Sequence, residues 1–296
     1  MAGGVLSFFS ERYRRLINAE LTRLTDAWYG VSALQDAVRH SLWGGKRTRP
    51  LLALMSAHAV DPAADLDAFV TMACAVELVH IFTLVHDDLP GMDDAKMRHG
   101  HDCTHVKYGN GVAILAGDAL LNQALALPLA APPASLTAER RLAIIGHLTH
   151  ACAIVVEGQV IDLSLEGKGV EIDELEHLHL SKTGALLRAA CLLGVELAGG
   201  DSSDKEKLGN YALNLGLAYQ IKDDLLSANG SEDVVGKTLS TDAQAMKATY
   251  PRLLGVEESR RKLEKHTADA IASISDYGAR SSLLVELANW GLERTN

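Results

Sequence analysis

The sequence has few aromatic residues, prolines and cysteines, and each shortage narrows the class of protein that it can encode. Aromatic residues make up 5% of the 296 positions, whereas alanine and leucine are abundant, which favours helices over sheets. No stretch alternates apolar and polar residues for long enough to predict a strand. The 7 prolines stand mostly at predicted helix ends. The sequence therefore predicts an all-α single domain, residues 1–296, with about ten or more helices.

Positive charge is also in short supply. Lys and Arg number 28 against 38 Asp and Glu, and the formal net charge of −10 argues against a nucleic-acid partner. An acidic protein can still bind a polyanion if metal ions and a few well-positioned Lys and Arg side chains supply the positive charge.

A signal peptide and long uninterrupted apolar runs are missing as well. The apolar segment 5–9 is too short for a signal peptide and is followed by charged residues. The run 68–85 contains Glu77 and His80, so it predicts a core helix and no transmembrane segment. No cysteine pair has CxxC spacing, which is typical of reduced thiols in a cytoplasmic protein. The four cysteines are Cys74, Cys103, Cys152 and Cys191.

The sequence does contain an acidic segment, 86–94 (HDDLPGMDD), directly after that apolar run. Its four carboxylates are costly at the end of a core helix unless cations meet them. Two or more Mg²⁺ ions would account for the cluster, because hard divalent cations bind carboxylate oxygens. A solvated acidic loop is the alternative interpretation. Since Pro90 and Gly91 end the helix, we expect Asp93 to return towards Asp87 from a loop.

A second pair of carboxylates follows a helical spacing far along the chain. Gln220, Asp223, Asp224 and Ser227 stand at i, i+3, i+4 and i+7, which puts them on one helix face. Two inward acid pairs are better explained together than separately. We therefore expect these two helices to face each other in a bundle, with divalent ions between the acid pairs.

Basic residues complete an anion site in this interpretation. Lys46 and Arg49, three apart in the turn 44–50 (GGKRTRP), could converge on one anion, and an exposed basic turn is the alternative. Together with Arg98, Lys182 and Lys237 they would ring the metal ions. Metal ions ringed by Lys and Arg are typical of a phosphate or diphosphate site.

Several segments, all in order, resemble the trans-isoprenyl diphosphate synthases, a family that includes farnesyl and geranylgeranyl diphosphate synthases. They are residues 45–50 (GKRTRP), 77–80 (ELVH), 86–93 (HDDLPGMD), 116–121 (AGDALL), 158–159 with Asp162, 182–186 (KTGAL), 220–221 with Asp223 and Asp224, 236–237, and Lys247 with 249–251 (TYP). The resemblance spans nearly the whole chain. It implies a single helical bundle of the isoprenoid synthase type with a central active-site cavity, and a homodimer.

The resemblance also implies a role for each matching residue. The diphosphate of isopentenyl diphosphate would be held by Lys46, Arg49 and His80, with His99 beside them. Three Mg²⁺ ions, or Mn²⁺ in their place, would bind the allylic diphosphate through Asp87, Asp88, Asp93, Asp223 and Asp224. The leaving diphosphate would be neutralised by Arg98, Lys182 and Lys237. The allylic cation would meet dipoles from Thr183 and Gln220.

The implied reaction is Mg²⁺-dependent condensation of isopentenyl diphosphate with an allylic diphosphate. Phe82 stands five residues before Asp87, so its ring would close the cavity about 7–8 Å below the metal ions. In similar enzymes a ring at this position limits products to the C10–C15 range, and farnesyl diphosphate is the favoured product here.

The sequence departs from the family pattern in four segments. His99 replaces a second arginine, 101–103 (HDC) replace Lys-Pro-Thr, Ser227 replaces an aspartate, and Ser240 replaces a glycine. These changes bear on acceptor use more than on allylic ionisation. Two alternatives therefore stay open: an enzyme that ionises an allylic diphosphate but uses another acceptor or cyclises it, and a weakly active partner subunit.

Three interpretations from other classes compete with a synthase. Glu77 and His80 have the Glu-x-x-His spacing of di-iron bundles, and the segment 174–179 repeats it, but both Asp pairs are then left unexplained. The string 99–105, which contains three histidines and Cys103, could bind Zn²⁺ or form a solvated loop. A non-catalytic helical scaffold would have no affinity for diphosphate.

Overall fold

The computed structural model describes residues 4–26, 31–131, 133, 135–165, 167–233 and 248–294. In these residues the chain forms thirteen α-helices and a hairpin of two short strands, and the all-α prediction is confirmed. The first elements are α1 (Val5–Asp26), α2 (Ser32–Ser41), α3 (Thr48–Val60), α4 (Leu66–Asp87), β1 (Met97–Arg98), β2 (His101–Asp102), α5 (Thr104–Tyr108) and α6 (Asn110–Ala130).

The remaining elements in the described residues are also helical. They are α7 (Ala138–Leu165), α8 (Ile172–His179), a π-helical turn (Leu180–Gly184), α9 (Ala185–Leu197), α10 (Ser202–Asp233), α11 (Tyr250–Leu254), α12 (Val256–Ser273), a 3₁₀ helix (Ser275–Ser281) and α13 (Ser282–Glu293).

The chain divides into two compact units. Unit 1 comprises Met1–Thr149 and Leu192–Gly200, and unit 2 comprises His150–Cys191 and Asp201–Asn296. The prediction that residues 1–296 act as one domain stays a prediction.

Helix α4 is the core of unit 1. Asp65 caps its start by accepting a hydrogen bond from the Ala68 amide, and the helix packs against α1, α3 and α6. The facing side of α6 consists of small residues such as Ala113 and Gly117, so the two helices approach closely. A Cβ at Gly117 would lie 2.1 Å from Nε2 of His86, so only glycine fits there. This close approach fixes the acidic end of α4.

The core of unit 2 lies beneath the second acid pair. Helix α10 packs against α12, and Ile221 and Leu225 are buried in an apolar cluster with Leu175, Tyr250 and Leu263. Because these neighbours hold one side of α10, the carboxylates at positions 223 and 224 lie on the half-buried side.

The sequence pattern predicts a helix broken at Gly117, a helix boundary near position 150 and a helix end at Ala228, and these three predictions are wrong. Helix α6 continues through Gly117, since one glycine costs a helix only about 1 kcal/mol, which packing against α4 offsets. The predicted helices 136–150 and 151–165 form one helix, α7 (Ala138–Leu165), because no proline interrupts it and a single glycine such as Gly146 is tolerated inside a helix. Helix α10 runs to Asp233, past the predicted end at Ala228.

Three helices, α4, α6 and α7, are long and apolar enough to cross a membrane by length and composition alone. Within α4, 72% of the apolar window is buried inside the protein, as expected of a core helix. The corresponding windows of α6 and α7 are 39% and 28% buried.

Candidate active site

The acidic segment folds back on the end of α4. Asp87 is the last helical residue, and its carbonyl oxygen accepts a hydrogen bond of 2.9 Å from the amide of Asp93. Asp93 therefore returns to Asp87, which confirms the expectation from the sequence. Asp93 is exposed and Asp87 is half-buried, so hard oxygen donors gather at the open end of a buried helix.

Asp88 faces away from these two residues and binds Arg98. Its two carboxylate oxygens accept hydrogen bonds of 3.0 and 2.9 Å from Arg98 Nε, and Nη2 adds one of 2.6 Å. The hairpin in which Arg98 pairs with His101 carries the guanidinium to Asp88. Metal binding by Asp88 stays a prediction, and it would displace this guanidinium.

Cys103 follows that hairpin and also contacts Asp88. Burial, together with the hydrogen bond to Asp88 and the charge of that carboxylate, raises the pKa of the Cys103 thiol to about 12. The thiol is therefore a neutral donor to the carboxylate, and the departure at this position keeps a hydrogen-bond donor.

Arg47, for which no role was predicted, holds the basic turn 44–50 in place. Arg47 has a left-handed backbone (φ 54°) and is buried. Its Nη1 lies 2.9 Å from Glu77 Oε1, its Nε donates to Asn18, and its Nη2 donates to the Leu42 carbonyl. The signal available in the sequence was the charged Glu77 inside an apolar run.

This turn borders a small cavity of about 50 Å³ in unit 1. Arg47, Arg98, His80 and His99 are among its lining residues. Burial and the nearby arginines Arg49, Arg98 and Arg47 hold the pKa of His80 well below its usual range. Burial and Arg98 likewise lower the pKa of His99, so both rings are neutral in a strongly positive environment. Such an environment attracts an anion.

His99 occupies a restricted position at the tip of the hairpin. Its backbone is left-handed (φ 52°), and a Cβ on Gly44 would lie 2.6 Å from its own Cβ. Gly44 therefore has to be glycine for the hairpin and the basic turn to touch. Lys46 is exposed and Arg49 is half-buried in the same turn and the start of α3.

Phe82 lies on α4, one turn before the acids. It is buried, and its ring meets the His86 ring edge-on at 5.1 Å between centroids. His86 in turn packs on Gly117 and lies 3.0 Å from the Ile114 carbonyl oxygen. The Phe82 ring therefore has a fixed position on this helix.

The second acid pair, in unit 2, is held by hydrogen bonds from the Arg294 side chain and the Tyr250 amide. Asp223 Oδ1 accepts a hydrogen bond of 2.5 Å from Arg294, whose guanidinium also stacks on the Tyr219 ring at 4.0 Å. Asp224 accepts one of 3.0 Å from the Tyr250 amide, and burial raises its pKa to about 6. Ser227 is exposed. The sequence analysis missed Arg294, because nothing local links it to position 223.

The π-helical turn presents two further predicted residues. The Lys182 ammonium lies 2.5 Å from Asp162, and the Thr183 hydroxyl donates to Gln220 Oε1 at 3.3 Å. Gly158 lets α7 approach this turn, since a Cβ there would lie 2.7 Å from Ser181 Cβ. A cavity of about 560 Å³ in unit 2 is bordered by Asp162, Lys182, Thr183, Gln220 and Asp224. Lys237, Ser240 and Lys247 lie outside the described residues.

The donors in both units suit a hard divalent cation. In the described part of the chain no group of three or more His, Cys, Asp or Glu side chains lies together as a metal site. A hard divalent cation can bind to one or two carboxylates and complete its coordination shell with substrate phosphate oxygens and water. The carboxylates of the di-iron interpretation are engaged elsewhere: Glu77 with Arg47, Glu174 in a helix cap and Glu176 with Lys262.

Comparison with known proteins agrees with this geometry. Residues 31–279 match the family model described as polyprenyl synthetase. The geranylgeranyl diphosphate synthase of Cyanophora paradoxa is 39% identical over 89% of this chain and 88% of its own. The farnesyl diphosphate synthase of Bacillus subtilis is 35% identical over 98% of both chains.

Solved structures give the same result. The geranyltransferase of Legionella pneumophila superposes with a TM-score of 0.86 at 27% identity, over 98% of both chains. The geranylgeranyl pyrophosphate synthetase of the archaeon Geoglobus acetivorans superposes with a TM-score of 0.81 at 28% identity, over 96% of this chain and 99% of its own. The chain therefore belongs to the polyprenyl synthetase family and is a prenyltransferase with the all-α isoprenoid synthase fold.

Proposed function

We propose that this prenyltransferase condenses isopentenyl diphosphate with an allylic diphosphate in a Mg²⁺-dependent reaction and releases a C10–C15 product, with farnesyl diphosphate favoured. The observation that carries the proposal is the return of Asp93 to Asp87 beside the Asp88–Arg98 pair. Carboxylates for metal ions and a guanidinium for phosphate are thereby gathered at the end of one buried helix.

Enzymes of this family use a divalent metal. In this protein Asp87 and Asp93 would hold two Mg²⁺ ions and Asp223 a third, with Mn²⁺ as a substitute. Asp88 and Asp224 are further candidate ligands. Bound Mg²⁺ supplies positive charge that neutralises the leaving diphosphate.

Leaving-group departure is the first step. The C1–O bond of the allylic diphosphate breaks and both electrons go to the diphosphate, whose charge Arg98, Lys182 and Lys237 would share. Gln220 Oε1 and the Thr183 hydroxyl oxygen would turn their negative dipole ends to the allylic cation. Water exclusion protects that cation from hydrolysis.

Bond formation follows at the acceptor. Lys46, Arg49 and His80, with His99 nearby, would hold the diphosphate group of isopentenyl diphosphate beside the small cavity of unit 1. Its alkene carbon C4 attacks C1 of the allylic cation, which leaves a tertiary cation at C3. A proton is then lost from C2 to the departing diphosphate, and the C–H electron pair forms the new double bond between C2 and C3. The product is an allylic diphosphate longer by five carbons.

A homodimer and a cytoplasmic location complete the proposal. Apolar side chains on the outer face of α6 support self-association, because Ile114, Leu115 and Leu129 are 44%, 59% and 66% exposed. A second copy of the chain would cover them.

One observation favours a second function. His99 stands in the acceptor cavity as a neutral ring, so the acceptor diphosphate has one cation fewer there. The alternatives are an enzyme that ionises an allylic diphosphate and uses another acceptor or cyclises it, and a weakly active partner subunit.

Product analysis separates these functions. The protein is incubated with Mg²⁺, isopentenyl diphosphate and dimethylallyl or geranyl diphosphate, and the products are resolved by mass spectrometry. Elongated C10–C15 diphosphates are expected. Diphosphate release without elongation would indicate the other acceptor or cyclisation, and the absence of both would indicate a partner subunit.

A further inference from the structure

His179 ends α8, directly before the π-helical turn that carries Lys182 and Thr183. It lies outside the segments that resemble the isoprenyl diphosphate synthases. Its ring is mostly buried and stacks on the Tyr250 ring, with 5.7 Å between centroids and 15° between planes. The ring borders the same 560 Å³ cavity as Gln220. Stacking on Tyr250 therefore holds a polar ring at the wall of this cavity.

The two ring nitrogens of His179 face different partners. Nδ1 lies 3.5 Å from the Gln220 amide nitrogen, and Nε2 lies 3.9 Å from Asp224 Oδ2. An amide nitrogen only donates, so Nδ1 has to accept and carries no proton. The ring proton is therefore on Nε2, directed towards the carboxylate.

This arrangement fixes which end of the Gln220 side chain faces Thr183. The amide nitrogen points at His179 Nδ1, and Oε1 accepts a hydrogen bond of 3.3 Å from the Thr183 hydroxyl. With the amide reversed, its oxygen would face Nδ1, and two acceptors would then meet. The proton on Nε2 near Asp224 opposes the tautomer change that could relieve this conflict.

We propose that His179 is a positioning residue that sets the amide orientation of Gln220, so that its oxygen and not its NH₂ group serves the allylic cation. The proposal rests on the proposed function, since it assigns the cation to this cavity. An oxygen lone pair stabilises a carbocation, whereas an N–H dipole destabilises it. The charge of Asp224 favours the tautomer of His179 that has its proton on Nε2. Hydrogen bonds from Gln220 to His179 and from Thr183 to Gln220 then fix the orientation of the amide.

Kinetics of two variants at His179 test the proposal. His179→Phe keeps a ring to stack on Tyr250 but removes both nitrogens, and we expect kcat to fall about tenfold to a hundredfold with KM for both diphosphates unchanged. His179→Asn retains a carbonyl acceptor near the position of Nδ1, so partial recovery of kcat is expected. A packing role alone would predict the opposite order, with Phe the milder change.

His266→Phe is the matched control. His266 lies on α12 in the same unit, is half-buried, and contacts Asn214 Oδ1 at 3.0 Å. The same change of side chain there should leave kcat and KM close to wild type. A kcat of His179→Phe within twofold of that control overturns the proposal.

A second readout does not depend on activity. The ¹⁵N chemical shifts of the His179 ring, assigned by comparison with His179→Phe, report which nitrogen carries the proton in the unliganded protein at neutral pH. We expect a protonated Nε2 and a bare Nδ1, and a protonated Nδ1 overturns the proposal. An inactive wild type overturns the proposed function instead, and the nitrogen shifts still decide the tautomer.

Discussion

Arg47 Nη1 lies 2.9 Å from Glu77 Oε1, and both side chains are almost completely buried, with 6% and 3% of their surface exposed. The pair joins the turn 44–50 to the middle of α4. Arg47 adopts a left-handed backbone to make this contact. The position of the basic turn therefore depends on an ion pair in the core.

Breaking this pair should be strongly destabilising. Glu77→Gln leaves a buried guanidinium without its counter-charge, and we expect a loss of about 3–5 kcal/mol in the free energy of unfolding. Urea denaturation measures it. The exposed pair Arg12–Asp67 is the control, since Asp67→Asn should cost less than about 1 kcal/mol. Equal losses in the two variants would contradict the structural role of Glu77.

Arg294 should compete with metal ions for Asp223. Its guanidinium lies 2.5 Å from the carboxylate and is 3% exposed. Arg294→Gln removes that positive charge, so we expect tighter binding of Mn²⁺ with diphosphate, followed by electron paramagnetic resonance, and a lower unfolding temperature. Arg261→Gln, which removes an exposed ion pair with Glu258, should change neither. Weaker Mn²⁺ binding in Arg294→Gln would refute the competition.

His99 should make acceptor binding depend on pH. Burial and Arg98 lower the pKa of His99. In the free protein the ring is therefore neutral at pH 7, and it gains its charge only at a pH below the usual pKa of histidine. A bound diphosphate favours the charged ring, so KM for isopentenyl diphosphate should rise with pH. His99→Arg should lower that KM about tenfold at pH 8 and much less at pH 5.5.

His150 supplies the control for this prediction. It is exposed on α7 and does not line the small cavity. His150→Arg adds the same charge away from that cavity and should leave KM at pH 8 nearly unchanged. If the two arginine variants behave alike, the effect belongs to net charge and not to position 99.

Phe82 should limit product length. Its buried ring lies about one turn before Asp87 on α4. Phe82→Ala would remove this ring and leave space for a longer prenyl chain beneath the acidic segment. We expect C20 products in the variant under conditions in which the wild type stops at C15, measured by mass spectrometry. Phe69→Ala, a buried phenylalanine near the other end of α4, is the control and should keep the wild-type product length. An unchanged product in Phe82→Ala would show that another residue closes the cavity.

Much of this protein followed from local sequence. The helices, the core position of α4 and the return of Asp93 to Asp87 were predictable because hydrophobic period, proline and glycine act over a few residues. The spacing of Gln220, Asp223 and Asp224 likewise needs only the geometry of one helix. The continuity of α7 was missed, although no proline interrupts this helix.

What only the tertiary structure decided is which polar side chains far apart in the chain form pairs. Arg47 with Glu77, Arg294 with Asp223 and the His179–Gln220 contact join residues separated by 30, 71 and 41 positions. Such pairs depend on where packed helices bring side chains together, and no periodic pattern records that. The sequence by itself therefore determined the helices and the spacing of the predicted site residues, and the folded chain decided which of these side chains are already engaged and by what.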